Sequence, residues 1–396
     1  MLFSTAVVGL TIQNGIYPML FNLYLLRLGY DVGFIGVVNA AGMLSTAIFS
    51  LPAGALAGRF GIRRTMTAGM ALAVLFHGLL PLVAYLPSGQ EALTLATRIA
   101  GSFAITLYTV SSIPFLMNTT REEERPHAYA IRQTMWPVFG FLGTFLGGLM
   151  PAAFAGMLNV PAGDAAPYRW PLVLSCLLCI PAVVALWATD DANCEPAPEG
   201  PRLPADGFPR AAFAAMLAVS FFRTACVGVV RTFFNVYLDD GLELPTSQIG
   251  TLYAIAQIAS APAPLIAPWF MKRWGNGATA AVASLGEVLF ALPLALVPHW
   301  AAAGVGRSGI AGRSSIGFAA LGIYQMEIIA PRWRPAMAGA TNMAAGFSWA
   351  LLSWVGGYTI AWASYPVLFL AGAGLTALGA LILFADNRRR QAPSRP

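Results

Sequence analysis

The chain consists of long apolar runs separated by short polar or basic connections. Most runs reach the roughly 20 residues that an α-helix needs to cross a hydrocarbon core of ~30 Å. Apolar and polar residues do not alternate strictly within the runs, which argues against a membrane β-barrel. The pattern predicts twelve transmembrane helices over residues 3–26, 33–57, 65–86, 90–117, 132–156, 169–188, 211–238, 247–271, 278–297, 301–326, 337–360 and 363–385.

The two halves of the chain repeat each other. The segment Phe21-Asn22-Leu23-Tyr24-Leu25 returns as Phe234-Asn235-Val236-Tyr237-Leu238, and Arg59-Phe60-Gly61 returns as Arg273-Trp274-Gly275. The offset stays between 209 and 214 residues along the chain. A duplicated unit in a membrane chain is typical of secondary transporters, in which two helical bundles move about a shared central site.

Composition makes the lipid bilayer the expected surroundings of the chain. Hydrophobic residues make up 57% of it and charged residues 10%, whereas charged residues make up about 25% of a soluble domain. We therefore expect an all-α membrane protein with two pseudo-symmetric six-helix bundles. The first bundle covers residues 1–188, a polar, proline-rich cytoplasmic linker covers 189–210, and the second bundle with a basic cytoplasmic tail covers 211–396.

The basic residues are distributed unevenly between the connections. Alternate connections hold 16 of the 23 basic residues, whereas the opposite connections hold only Arg27 and Arg169. Because lysine and arginine accumulate on the cytoplasmic side, both termini are predicted to be cytoplasmic in a multi-pass protein of the inner (cell) membrane. The net charge of +6 thus reflects topology. The basic residues form no stripe interleaved with stacking aromatics, so no nucleic-acid partner is expected.

Motifs for chemistry are absent from the sequence. It has no P-loop pattern to cradle ATP phosphates, and its three histidines are scattered, so neither a cofactor nor a metal site is expected. The sequence shows no nucleophile with a base that could converge on it, so an enzyme is not expected. Cys176 and Cys179 form a C-x-x-C pair, but the pair lies in an apolar helix and lacks the βαβ setting of a redox motif.

The connection between the second and third predicted helices resembles a known signature. Gly54-Ala55-Leu56-Ala57-Gly58-Arg59-Phe60-Gly61-Ile62-Arg63-Arg64 resembles the loop motif of the major facilitator superfamily: glycine, three residues, an acid, arginine, one residue, glycine and then basic residues. A degenerate copy stands at Lys272-Arg273-Trp274-Gly275, and the six-plus-six repeat extends the resemblance over essentially the whole chain. Gly58 occupies the position of the motif's acid. The resemblance implies a monomeric secondary transporter that works by alternating access.

The resemblance also assigns a cytoplasmic gate. The motif loop contributes Gly54, Arg59, Gly61, Arg63 and Arg64, and its copy contributes Lys272 and Arg273. We expect Glu327 to pair with Lys272, Arg273 or a nearby arginine when the protein is closed on the inside. The alternative is that these basic residues only anchor the loops at the cytoplasmic surface.

Two further segments match family patterns in part. Gly143-Thr144-Phe145-Leu146-Gly147-Gly148 resembles the antiporter signature, with Thr144 where that signature has proline, and Arg98-Ile99-Ala100-Gly101 resembles the arginine motif of drug exporters. Small residues at this spacing let helices approach backbone to backbone, so Gly143, Gly147 and Gly148 are predicted to pack helices together. The two resemblances favour export over import.

Ionisable residues within the membrane are functional candidates, because burying a charge there costs about 2.5–3.5 kcal/mol or more. Glu287 is the only acid predicted to lie deep in the membrane and is the candidate for proton coupling; the alternative is a fixed pair with an arginine. The resemblance places the first, fourth, seventh and tenth helices around a central cavity. The candidates for substrate contact in that cavity are therefore Gln13, Asn14, Arg98, Arg223 and Tyr324.

These observations favour proton-coupled export of a small amphipathic or drug-like compound. One alternative is uptake of an organic anion or another small metabolite, with Arg98 and Arg223 clamping a carboxylate or phosphate. A third hypothesis, from another class, is a non-transporting sensor or assembly partner that has kept the same fold. The expected partners are a small-molecule substrate, the lipid bilayer and a coupling proton.

Overall fold

The computed structural model describes residues 1–121, 124–189, 209–330 and 333–391. Within these ranges the regular elements are helices and no strand occurs. The α-helices are α1 (Leu2–Val8), α2 (Ile16–Arg27), α3 (Val32–Phe60), α4 (Ile62–Leu79), α5 (Gln90–Thr119), α6 (Arg125–Leu158), α7 (Ala166–Leu177), α8 (Ile180–Trp187), α9 (Arg210–Arg223), α10 (Ala225–Val236), α11 (Thr246–Ser260), α12 (Ala263–Trp274), α13 (Asn276–Leu296), α14 (Trp300–Glu327), α15 (Arg334–Trp362) and α16 (Tyr365–Gln391). Short π-helical turns cover Gly9–Gln13 and Tyr237–Gly241, and a 3₁₀ turn covers Leu80–Tyr85.

Each of the twelve predicted segments is helical, so the predicted all-α membrane fold is confirmed. Eight helical stretches among the described residues are long and apolar enough to cross a bilayer, or nine if a bent pair counts as one span. The number twelve is therefore approximate. Large apolar side chains stand exposed, among them Trp362 at 88% and Leu265 at 83%, as expected where the surroundings are lipid tails.

The described residues form two compact units. The first comprises the described residues of Met1–Pro198 together with Asn235–Gln257, and the second those of Glu199–Phe234 together with Ile258–Pro396. Residues 235–257, which the repeat assigns to the second half of the sequence, thus pack with helices of the first half. Most of the predicted linker, residues 190–208, lies outside the described residues.

The repeat is visible in the backbone of two turns. Gly61 separates α3 from α4 with φ +92°, and Gly275 separates α12 from α13 with φ +79°. The Gly61 N–H donates to the carbonyl of Ala57 at 3.1 Å, and the Gly275 N–H donates to that of Met271 at 2.9 Å. A positive φ favours glycine because it has no Cβ. The same residue type therefore makes the same turn in both halves.

The first predicted helix is interrupted near its middle. After the π-helical turn Gly9–Gln13, the backbone of Asn14 and Gly15 leaves the helical region, and α2 begins at Ile16. A π-helical turn inside a helix frequently marks a functional site. The interruption leaves backbone groups that require partners from other helices, because lipid offers none.

Glycines of α6 pack against this interruption. A Cβ added to Gly143 would lie 2.0 Å from the carbonyl oxygen of Leu10, and one added to Gly147 would lie 3.3 Å from the Cα of Ile16. One added to Gly148 would lie 2.8 Å from the Cα of Gly250 in α11. The three glycines therefore lie where helix backbones approach one another closely, the contact that small residues make in membrane proteins.

We predict that Gly143→Ala destabilises the fold by about 1–3 kcal/mol, because the added methyl group must displace backbone rather than a side chain. Gly156→Ala is the matched control, since Gly156 is exposed on the same helix and has open space at its Cβ position. Thermal unfolding of the detergent-purified variants measures both changes. Equal midpoints for the two variants would contradict the packing argument.

Candidate functional site

The seventh predicted helix is interrupted beside a buried charge. Helix α9 ends at Arg223 and α10 begins at Ala225. Two neighbouring helices supply hydrogen bonds at this interruption. Thr376 Oγ1 of α16 donates to the Arg223 carbonyl at 3.3 Å and accepts from the Cys226 N–H at 3.0 Å. Trp349 Nε1 of α15 donates to the Thr224 carbonyl at 3.1 Å.

The Arg223 side chain lies within ion-pair distance of Glu287 in α13. The Arg223 Nη1 and Glu287 Oε1 atoms are 3.6 Å apart, and both side chains are 0% exposed. This distance is too long for a good hydrogen bond. Among the described residues, no guanidinium nitrogen of Arg223 and no carboxylate oxygen of Glu287 has a hydrogen-bond partner. The pair is therefore held by charge attraction and not by a network of polar contacts.

Glycine and aromatic neighbours make room for the pair. A Cβ on Gly317 would lie 2.9 Å from Arg223 Nη1, and a Cβ on Gly379 would lie 2.5 Å from the Arg223 backbone nitrogen. The Arg223 guanidinium also lies 4.3 Å from the ring centroid of Phe318, a favourable placement for a cation. Gly317 and the ring of Phe318 thus lie beside a charge that water does not reach, while Gly379 packs against the Arg223 backbone.

The charged states of Arg223 and Glu287 therefore depend on each other. Taking two opposite charges out of water is costly, and only their mutual attraction offsets that cost. Removing either charge, by substitution or by protonation of Glu287, would leave the other charge buried without compensation. The pair suits both expectations from the sequence, a protonatable carboxylate and a fixed ion pair.

Arg98 lies in a separate polar cluster in the first unit. Its guanidinium lies 5.0 Å from the ring centroid of Phe21 in α2, and its Nε atom is buried with no hydrogen-bond partner in the described ranges. Tyr17 and His77 are the titratable side chains beside it. The Tyr17 hydroxyl donates to the His77 carbonyl at 3.1 Å. Arg98 therefore has aromatic and polar neighbours but no carboxylate at ion-pair distance among the described residues.

The other cavity candidates have different surroundings. Gln13 and Asn14 lie partly exposed at the interruption of the first helix, where Gln257 Nε2 donates to the Asn14 carbonyl at 3.2 Å. Tyr324 is buried near the end of α14, and its hydroxyl donates to Asp386 of α16 at 2.7 Å. In the second unit, therefore, Arg223 lies beside Glu287 while Tyr324 is bound within a helix-end cluster.

The predicted gate residues lie at helix ends. Arg63 donates to the carbonyl oxygens of Trp187 and Thr189, while Lys272 and Arg273 are exposed. The Glu327 carboxylate accepts a hydrogen bond from Asn276 Nδ2 at 2.6 Å. No ion pair between Glu327 and Lys272 or Arg273 is formed in the described part of the chain, because the asparagine amide meets the carboxylate instead.

Two contacts that sequence reasoning missed join residues whose spacing is close to the offset of the repeat. Arg27 binds Asp239 through two hydrogen bonds of 2.8 and 2.6 Å. Asn22 Nδ2 donates to Asn235 Oδ1 at 3.3 Å. The partners are 212 and 213 positions apart, which is the offset of the repeat. That offset was the available signal, since equivalent elements of a duplicated chain meet near its pseudo-symmetry axis.

Comparison with known proteins identifies the family. The sequence profile of the Major Facilitator Superfamily matches residues 1–326. The chain belongs to the Major Facilitator Superfamily. The recognition made from the motif loop and the repeat is thereby confirmed, and family membership makes this protein a membrane transporter and not an enzyme.

A curated relative and several solved structures are similar to this transporter. The uncharacterized MFS-type transporter YhhS of Salmonella typhimurium (strain LT2) is 27% identical over 173 residues, 42% of this chain and 40% of the relative. This chain therefore matches about two fifths of the length of its curated relatives. A mutant of the nucleoside transporter NupG has a TM-score of 0.76 at 14% identity, covering 97% of this chain and 98% of that one. A D-xylose–proton symporter has a TM-score of 0.76 at 11% identity, covering 97% and 96%. At such identities the solved structures establish the fold alone.

We predict that Arg223→Met and Glu287→Gln are not additive. Removing one partner of a buried ion pair costs about 3–5 kcal/mol, whereas replacing both partners by uncharged residues is close to neutral or stabilising. Thermal unfolding midpoints should fall in Arg223→Met and recover in the double variant. A double variant as unstable as the sum of the single variants would mean that the two charges do not compensate each other.

Proposed function

We propose that this protein is a proton-coupled antiporter that exports small amphipathic organic molecules by alternating access. The observation that carries the proposal is the isolated Arg223–Glu287 pair, with both side chains 0% exposed. A carboxylate whose one charge partner among the described residues is a nearby arginine can exchange that partner for a proton. Protonation would then release Arg223, which is attached to the interruption between α9 and α10.

A path for the proton follows from this arrangement. In one state Glu287 is ionised and paired with Arg223; in the other it carries a proton and Arg223 needs another counter-charge. Because each state disfavours the other's contacts, proton uptake on one side of the membrane and release on the other drives the exchange of conformations. A D-xylose–proton symporter has the same fold, so this architecture is compatible with proton coupling.

Amphipathic substrates are supported by an apolar groove in the second unit. It has a volume of about 480 Å³ and lies between α9 and α15, with Phe221, Phe222, Met343 and Phe347 among its lining residues. Aromatic and methionine side chains adapt to varied apolar ligands. Export is supported by the partial resemblance of the α6 glycine segment and the Arg98 segment to exporter motifs.

The orientation proposed from the basic residues defines the two gates. We propose an inner-membrane monomer with cytoplasmic termini, so that the Arg59, Arg63 and Arg64 loop and the Lys272–Arg273 loop face the cytoplasm. The Arg27–Asp239 pair then belongs to the outer side. Its two short hydrogen bonds, with Asp239 only 6% exposed, make it the candidate latch that must open before the outer side can.

We expect Glu287→Gln to abolish acceleration of transport by a pH gradient, because glutamine cannot exchange a proton. Proteoliposomes loaded with tetraphenylphosphonium or 2-naphthoate, with an acidic exterior, give efflux rates with and without the gradient. Glu91→Gln is the control, since Glu91 is an exposed acid in the first turn of α5. A gradient response that survives in Glu287→Gln would refute the coupling role. Absence of flux for every probe would favour a non-transporting protein.

We expect Arg27→Ala and Asp239→Ala each to raise opening of the outer side about tenfold, because a charge-assisted hydrogen bond contributes about 1.5–3 kcal/mol. The readout is labelling of Met19→Cys by a membrane-impermeant maleimide in intact cells, since Met19 is 0% exposed. The exchanged pair, Arg27→Asp with Asp239→Arg, should restore slow labelling. Glu243→Gln, at an exposed acid outside the pair, is the control. Unchanged labelling in both single variants would exclude the latch.

A further inference from the structure

We infer that Arg98 is an anion-binding residue, and that the transported molecule carries a carboxylate or phosphate group. The inference rests on the proposed transport function and names the substrate class. It concerns a site in the first unit alone, built by α5 with α2, α3 and α4.

The Arg98 guanidinium is held in position by close contacts with its neighbours. The side chain lies over Phe21, and a Cβ on Gly42 of α3 would lie 2.7 Å from Arg98 Nε and 3.0 Å from Ser102 Oγ. Arg98 Nε is buried without a partner, while the residue as a whole stays partly accessible. The terminal nitrogens are therefore the part of the side chain that a ligand can reach.

A second copy of the same arrangement exists in the other unit. Arg307 of α14 lies 5.5 Å from the ring centroid of Phe234. Phe234 is the repeat equivalent of Phe21, and Arg307 follows Arg98 by 209 positions, within the offset of the repeat. In each half of the repeat, an arginine of the fourth helix therefore lies over a phenylalanine of the first helix.

Among the described residues of the first unit, no acid is an ion-pair or charge partner of Arg98. Residues 1–188 contain six acids, and all of them lie outside the predicted membrane interior, at Asp31, Glu91, Glu122, Glu123, Glu124 and Asp164. Asp239, which packs with this unit, is bound to Arg27. Of the titratable groups that face Arg98, the Tyr17 hydroxyl donates to a carbonyl, and His77 Nδ1 lies 3.0 Å from the Ala73 carbonyl oxygen. None of these groups supplies a negative charge.

The contrast with Arg223 points to a ligand. Both arginines lie within predicted membrane helices, but Glu287 balances Arg223 inside its own unit. Glu287 is 0% exposed there and is therefore already committed to Arg223. An uncompensated arginine in this position is expected to bind an anion from solution, and guanidinium pairs best with carboxylate and phosphate. Of the two arginines that the sequence suggested as ligands of a carboxylate or phosphate, only Arg98 remains in this proposal.

The test compares matched ligands on the wild-type protein first. Thermal unfolding in detergent is measured with 2-naphthoate, 2-naphthamide, naphthyl phosphate and tetraphenylphosphonium, because a ligand of the folded state raises apparent stability. We expect stabilisation by the carboxylate, the phosphate ester or both, and none by the neutral amide. Equal stabilisation by the amide and the carboxylate, or stabilisation by the cation alone, would overturn the inference without any substitution.

The variants then locate the site. Arg98→Met should weaken anion binding about 10- to 100-fold, the loss expected for a charge-assisted hydrogen bond of about 1.5–3 kcal/mol, whereas Arg98→Lys should retain part of it. Gly42→Ala should also weaken binding, because its methyl group displaces the guanidinium, while Gly58→Ala on the same helix has open space and should not. Full affinity in both Arg98→Met and Gly42→Ala would remove Arg98 from the site.

Failure of this inference and failure of the proposed transport function give different results. Anion binding is measured in detergent without a gradient, so it is independent of Glu287 and of coupling. The double variant Arg223→Met with Glu287→Gln removes the buried ion pair of the second unit and should leave anion binding unchanged. Loss of binding in that variant, with Arg98→Met unaffected, would transfer the anion site to Arg223.

Discussion

Lipid cannot hydrogen-bond to a protein backbone, and this constraint explains where the polar groups of this transporter are found. The first and seventh predicted helices are both interrupted, at Asn14–Gly15 and at Thr224. Each interruption is met by side chains from distant helices, Gln257 at the first and Thr376 with Trp349 at the second. Close glycine packing closes the space around them. Polar side chains from other helices therefore meet the backbone at both of these interruptions.

Because the membrane interior is apolar, each charge buried there needs an explanation. A charge in the membrane interior persists when something compensates it or when function requires it. In the second unit the compensation is internal, because Glu287 lies 3.6 Å from Arg223. In the described part of the first unit, Arg98 has an aromatic face and hydrogen-bonded neighbours but no acid at ion-pair distance. The surroundings of a buried arginine therefore differ between the two units, and the two proposals made above rest on this difference.

The sequence was sufficient for the helical segments, the repeat and the family, because runs of about 20 apolar residues and a fixed offset are local or periodic signals. The interruptions could not be predicted, since they depend on partners such as Gln257 and Thr376 that lie far along the chain. Tyr324 was predicted to be a cavity residue because the resemblance places the tenth helix at the central cavity. Its hydrogen bond to Asp386 could not be predicted from the sequence. The Glu287–arginine pair was foreseen as an alternative because only one deep acid was present. Arg27 and Asp239 were missed, although their spacing equals the offset of the repeat.

Duplication allows the two copies to be compared within one chain. Features that both copies keep include those that the scaffold needs, such as the positive-φ turns at Gly61 and Gly275. Features that differ report specialisation. Glu287 lies 214 positions after Ala73, the offset that relates the two glycine turns, so one copy has an acid where the other has a methyl group. Arg27 binds Asp239, which lies one position before its repeat equivalent Asp240, so this region of the repeat carries a base in one copy and acids in the other. The two copies therefore differ at these charges while keeping the same glycine turns, and the proposed coupling of a proton to a second molecule rests on the residues that differ.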